Sequence, residues 1–164
     1  MKKIKELLDK AINTLNGLEE DENDSVLDME RSLQLDKYTC GVQSAFSILK
    51  YYGKARSVQS VEEYLGPDEK VGTTETAIYR LFRDRKLKIS KRDKANISTI
   101  KESIHEYESP MLTTINDYNH WVVVYGYSST HIYVLDPVIF RPSVKWKKEK
   151  FKSAWDKWGA IIYK

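Results

Sequence analysis

Cysteine is nearly absent from this chain of 164 residues: Cys40 is the only one. A lone thiol cannot close an internal disulfide, and without a CxxC pair or a Cys/His cluster no zinc spacing is on offer. Long apolar runs are missing too. No stretch is long enough to span a membrane, and Met1 to Gly17 carries charges throughout where a signal peptide needs an unbroken apolar core. A phosphate-binding GxxxxGK[ST] pattern is also lacking. The chain is therefore expected to be cytoplasmic, without membrane insertion, cofactor or metal. Charge of one sign is scarce as well, with 27 Lys and Arg against 24 Asp and Glu for a formal net charge of +3. Basic residues gather at Lys86 to Lys94 and at Lys145 to Lys152, where Trp146 and Phe151 interleave with lysines. At so small a total charge these are read as solvated surface with snorkelling lysines, and no nucleic-acid partner is expected.

What is present suits one soluble folded domain: hydrophobic residues make up 41% and charged residues 31%, and this length buries a single core without splitting. Residues 1–30 are set apart as an amphipathic helix, with Ile4, Leu7, Leu8, Ala11, Leu15 and Leu18 at helical spacing, followed by an acidic linker from Glu19 to Asp24. The leucine stripe is expected to dock on the domain or on a partner. Over residues 31–164, helices are predicted from Cys40 to Tyr52, stopped by Gly53, from Val58 to Leu65, from Thr74 to Arg85 with Thr73 as cap, and from Ser98 to Tyr107. Beyond Pro110 the pattern turns to strands at Met111 to Ile115, His120 to Tyr127, Ile132 to Asp136 and Ala160 to Tyr163. Helices first and strands last is the arrangement of an α+β domain.

Cys40 opens a predicted helix and is followed by Gly41, which lets another part of the chain approach closely. A helix N-terminus stabilises a thiolate, so this placement suits a nucleophile. A nucleophilic thiol needs a base. Of three histidines, His105 lies in a charged helix and His131 just after the turn Ser128-Ser129-Thr130. His120 stands at the mouth of the apolar strand His120-Trp121-Val122-Val123-Val124-Tyr125-Gly126-Tyr127, where a titratable group calls for explanation. An imidazole acting as base needs a carboxylate or amide to hold its ring. Asp136, in Val134-Leu135-Asp136-Pro137, is one choice; Asn116, Asp117 and Asn119 are rivals. In a hairpin whose turn centres on Ser129, Asp136 falls opposite Val122 on the face of His120, and His131 falls on the other face.

Gln34-Leu35-Asp36-Lys37-Tyr38-Thr39-Cys40-Gly41, then His120-Trp121-Val122-Val123-Val124-Tyr125-Gly126, then Val134-Leu135-Asp136-Pro137 resemble, in that order, the C39 peptidases, a bacteriocin-processing branch of the papain-like fold. Trp158-Gly159-Ala160-Ile161-Ile162 resembles the family's closing strand. The resemblance implies a papain-like α+β fold, a helical half carrying the nucleophile and a C-terminal antiparallel sheet. It also implies hydrolysis of a peptide or protein substrate through a Cys40 thioester, with His120 as base, Asp136 as orienting carboxylate and Gln34 as oxyanion donor. Thr39 departs from the family, which often has an acidic residue before the cysteine. Many C39 domains are fused to a membrane exporter with an ATPase; with neither pattern here, the expectation is a stand-alone peptidase. Acyl transfer, deamidation and isopeptide cleavage pass through the same thioester. A binding module that keeps the groove without turnover is the reading from another class.

Overall fold

The computed structural model describes residues 24–138, 140 and 144–164; the predicted N-terminal helix lies outside them. Among the described residues the elements run β1 (Ser25–Val26), α1 (Cys40–Tyr51), α2 (Val58–Leu65), α3 (Glu75–Asp84), β2 (Lys88–Arg92) and α4 (Ile97–Lys101), which passes into a π-helical turn (Glu102–Glu106). Then come β3 (Met111–Ile115), β4 (His120–Tyr127), β5 (His131–Leu135), β6 (Lys145–Lys147), α5 (Lys148–Ala154) and β7 (Gly159–Tyr163). The strands form one antiparallel sheet in the order β2-β7-β3-β4-β5-β6. No helix among the described residues is long and apolar enough to cross a membrane.

Period-two alternation sorts the strand residues between two cores. Leu112, Val123, Tyr125, Leu135, Ala160 and Ile162 face α1 to α3. Met111, Val122, Val124, Ile132, Val134 and Ile161 face the opposite way, onto Ile100, Ile104, Phe151 and Trp155. Helices thus cover both faces, and β3, β4 and β7 read as continuous apolar runs because each of their faces is buried.

Helix α1 is buried along most of its length, from Cys40 to Leu49. It ends where Gly53 takes a φ of +65° and the amide of Lys54 reaches back to the Leu49 carbonyl at 2.8 Å, the left-handed stop that glycine permits. The cap of α3 differs by one residue from expectation. Thr74 caps it, its side chain accepting from the Ala77 amide at 3.2 Å. Thr73 is buried, and its carbonyl accepts from Trp121 Nε1 at 3.0 Å.

The first basic cluster holds one outer strand of the sheet and the start of the second holds the other, the lysines from Lys148 on lying in α5. Strand β2 is Lys-Ile-Ser-Lys-Arg and β6 is Lys-Trp-Lys, with Trp146 buried between two exposed lysines. Lysine on an edge strand discourages pairing with another sheet. This edge role explains why neither segment carries the apolar alternation from which a strand is predicted.

Residues 24–29 belong to the sheet and core. Strand β1 pairs with the end of β4 that β3 leaves free, Ser25 opposite Tyr127 and Val26 opposite Gly126, and Leu27 and Met29 pack on the core. Gly126 is what admits this strand, since a Cβ there would sit 2.7 Å from the Ser25 carbonyl oxygen and 2.9 Å from Val26 Cα. Gly126→Ala is predicted to displace β1 at a cost of about 1–3 kcal/mol, the usual range for overpacking. Hydrogen exchange is the check: the Leu27 amide, bonded to the Tyr125 carbonyl at 2.9 Å, loses its protection while α1 keeps its own. Unchanged exchange at Leu27 contradicts the role given to Gly126.

Candidate active site

The chain enters α1 through a turn built on Asp36. One carboxylate oxygen of Asp36 accepts from the amides of Tyr38 and Thr39 and from the Thr39 hydroxyl, each at 2.9 Å. A short acidic side chain bonding the backbone two and three residues on is a common turn device, and the Asp36-x-x-Thr39 spacing is its signal in the sequence. Thr39 is thereby drawn in and buried, and it places no side-chain acceptor over the start of α1. The amides of that first turn have no acceptor within the helix. The positive end of the helix therefore faces Cys40, its first residue, which is 7% exposed.

Gly41 is required by what presses on it. An added Cβ would lie 2.7 Å from Thr73 Cβ and 3.0 Å from Trp121 Cδ1. Thr73 and Trp121, themselves joined by the indole hydrogen bond, lock the base of α1 to the start of β4. The contact between Thr73 and Trp121 had no signal in the sequence, since no local pattern marks a contact across 48 residues.

Strand β4 delivers His120, paired with Ile115 of β3. The turn between them holds Asn116, Asp117 and Tyr118 at φ values of 58°, 58° and 61°, the left-handed region in which a non-glycine residue costs energy. It is fastened below by the Asn116 amide to the Ala154 carbonyl at 2.8 Å and by the Tyr118 amide to Asp156 at 2.9 Å.

His120 and Asp136 meet: Nε2 lies 2.6 Å from an Asp136 carboxylate oxygen. A carboxylate only accepts, so Nε2 is the donor and Nδ1 is left for another partner. The register that brings them together contains two compensating shifts. Tyr127 pairs with Ile132 and Gly126 with Tyr133, which centres the turn between Ser129 and Thr130, half a step from the expected centre. A bulge between Val124 and Gly126 then moves the pairing, so that Val124 faces Val134 and Val123 faces Leu135. The next step sets Asp136 opposite Val122, as a turn centred on Ser129 also does. His131 alternates with Ile132 and Val134 and bonds the neighbouring Thr130 hydroxyl at 2.7 Å. His105 is exposed and packs edge-on against Tyr127.

Asp136 is fully buried. Its oxygen also accepts from the Val138 amide at 3.1 Å, so the carboxylate holds the segment after Pro137 as well as the imidazole. Burial alone pulls His120 toward its neutral form. The hydrogen bond to Asp136 and the carboxylate's charge, together with the nearness of Cys40, outweigh burial and raise its pKa from 6.5 to about 9. Protonated imidazole is then the resting form at neutral pH.

Gln34 comes to the same place by pairing with the segment Asp136 holds. Its amide donates to the Pro137 carbonyl at 2.8 Å, and it bridges to Val138. The side-chain Nε2 donates to the Asp36 carbonyl at 2.5 Å, which leaves one N–H uncommitted. Two grooves flank the group. One, of about 190 Å³, is lined by Cys40, Trp121, Gly72, Thr73 and Tyr118. The other, of about 570 Å³, is lined by Gln34, His120, Leu35, Val138 and Phe140. Of the rival orienters, Asn116 and Asn119 line the larger groove. Among the described residues no group of His, Cys, Asp and Glu is placed to hold a metal.

Solved structures share this architecture. A double glycine motif protease from an AMS/PCAT transporter, solved in complex with the leader peptide, is 21% identical, with a TM-score of 0.68 over 84% of this chain and 92% of its own. The peptidase domain of Streptococcus ComA, a bi-functional ABC transporter involved in a quorum sensing pathway, is 20% identical, with a TM-score of 0.67 over 84% and 98%. A Bacillus anthracis protein described as a C39-like peptidase is 19% identical, with a TM-score of 0.66 over 87% and 98%. At these identities the likeness establishes the fold, a papain-like peptidase domain of mixed helices and antiparallel sheet. No curated protein matches the chain. The Peptidase C39 family matches residues 28–164, a span that takes in Gln34, Cys40, His120 and Asp136, and the chain belongs to that family of cysteine peptidases.

Proposed function

We propose that this chain hydrolyses peptide bonds with Cys40 as nucleophile, His120 as general acid and base, Asp136 as orienting carboxylate and Gln34 as oxyanion donor. The observation that carries the proposal is the 2.6 Å contact between His120 and the buried Asp136, close enough to Cys40 for the thiol to act on the imidazole and placed where two grooves meet. The Cys40 thiolate adds to the carbonyl carbon, and the oxyanion is held by the free N–H of Gln34 and the Cys40 amide at the start of α1. His120 gives its proton to the amide nitrogen, the C–N bond breaks, and the amine leaves with the acyl group bound as a thioester. His120 then takes a proton from water, which attacks the thioester and releases the acid and the thiolate.

The substrate we favour is a leader peptide cut after small residues. The groove at Cys40 is the smaller of the two and is walled by Thr73, Trp121 and Tyr118, which suits residues as small as glycine. The transporter protease solved with its leader peptide supports the same class.

Incubation with a peptide library, read by mass spectrometry of new termini, tests the proposal. Wild type is expected to cut, Cys40→Ala to be inert, and Gln34→Ala to lose roughly 10²-fold in kcat, the usual loss of one oxyanion donor, with an unchanged unfolding midpoint. Cleavage that survives Cys40→Ala sinks the assignment, and a full rate in Gln34→Ala removes Gln34 from it.

The pH dependence follows from His120. Its folded value is raised above 6.5, so its stabilising contribution is complete below pH 6.5 and disappears as pH rises through about 9. By NMR the His120 ring is predicted to titrate near 9 in wild type and distinctly lower in Asp136→Asn, whose stability falls less steeply across that window. A midpoint untouched by Asp136→Asn contradicts the pairing as the source of the shift.

A further inference from the structure

Among the described residues, four of the six exposed large hydrophobics stand on the two grooves. Leu35 and Phe140 border the groove of His120, and Val71 and Tyr118 that of Cys40. Leu35 is 89% exposed and Phe140 90%. Apolar side chains so fully presented beside a reactive centre are available to a ligand.

The chemistry proposed above tells the grooves apart. Covalent attachment at Cys40 puts the acyl half of the substrate in the groove that Cys40 lines. The leaving nitrogen takes its proton from His120, so the half that departs lies in the groove lined by His120 and Gln34. Lys37 and Asn119 line both and mark the junction. The departing half therefore meets Leu35, Val138 and Phe140, whereas the acyl half meets a smaller space bordered by Glu69 and Lys70 as well as Cys40. Leu35 directly follows Gln34, and Val138 is bonded through its amide to Asp136. The bridge between Gln34 and Val138 ties these two segments together, so the apolar rim is built on the backbone that carries the oxyanion donor and the orienting carboxylate.

We propose that the His120 groove is a specificity site for the leaving side, selecting substrates with an apolar side chain in the first two residues after the scissile bond, gripped by Leu35, Val138 and Phe140. The proposal rests on the peptidase reading for the direction in which a substrate lies.

Its test uses Cys40→Ala protein, so that binding is measured without turnover. The probes are peptides with Gly-Gly on the acyl side, followed by Leu, Phe, Ser or Asp, with affinities from fluorescence anisotropy. Leu and Phe peptides are expected to bind about tenfold or more tighter than Ser and Asp peptides, the scale on which an apolar pocket discriminates. Adding Leu35→Lys and Phe140→Lys, both at exposed positions, should reverse the order in favour of Asp. Equal affinities for the four peptides overturn the inference, as does a preference for Leu and Phe that survives the two lysines. Wild-type cleavage of the same peptides separates the two claims. Selective binding without any cleavage keeps the groove and fells the peptidase reading; cleavage without selectivity does the reverse.

Discussion

A carboxylate with no exposure to water must be repaid by partners, and the placement of Asp136 organises the site around that demand. One of its oxygens takes the His120 ring at 2.6 Å and the Val138 amide at 3.1 Å. The first contact holds the imidazole ring. The second fixes the segment after Pro137, to which Gln34 is bonded in turn. His120, Gln34 and the wall of the larger groove thus hang on one buried charge.

That charge can only reach His120 because the sheet holds β4 rigidly. Trp158 Nε1 bonds the Thr114 hydroxyl at 2.8 Å, and Trp155 Nε1 bonds that of Thr113 at 3.0 Å, so the end of the chain braces the strand paired with β4. The same segment fastens the left-handed turn at Asn116 to Tyr118. Three successive residues in that region cost roughly 1–2 kcal/mol each, less for Asn and Asp. The strained turn ends two residues before His120, where backbone strain that persists in a braced turn fits a site held in place for function.

Much of this was legible in the sequence because the informative residues are locally coded. Cys40-Gly41 before an apolar helical run, His120 at the mouth of an apolar strand and Asp136 before Pro137 each break a pattern. Gly53 showed where α1 stops. The strands β2 and β6 were not legible, since edge lysines replace the alternation that marks a half-buried strand. The bulge in β4 had no sequence signal either, and the expected facing of Asp136 and Val122 held because it offset a displaced turn. Thr73 shows the limit of local rules: as a cap it was plausible, but packing against Gly41 and Trp121 decided its position. The leucine stripe of the first 18 residues falls outside the described residues.

The account stands or falls on a covalent bond to one sulfur atom. Acid quenching of wild-type protein during cleavage of a peptide substrate, followed by intact-mass and fragment analysis, is expected to show the acyl half of the peptide attached at Cys40. Such an adduct forms before water attacks, and it should be absent in Cys40→Ala. Product accumulating under the same conditions with no adduct at any time, or with the acyl group on another residue, contradicts the mechanism.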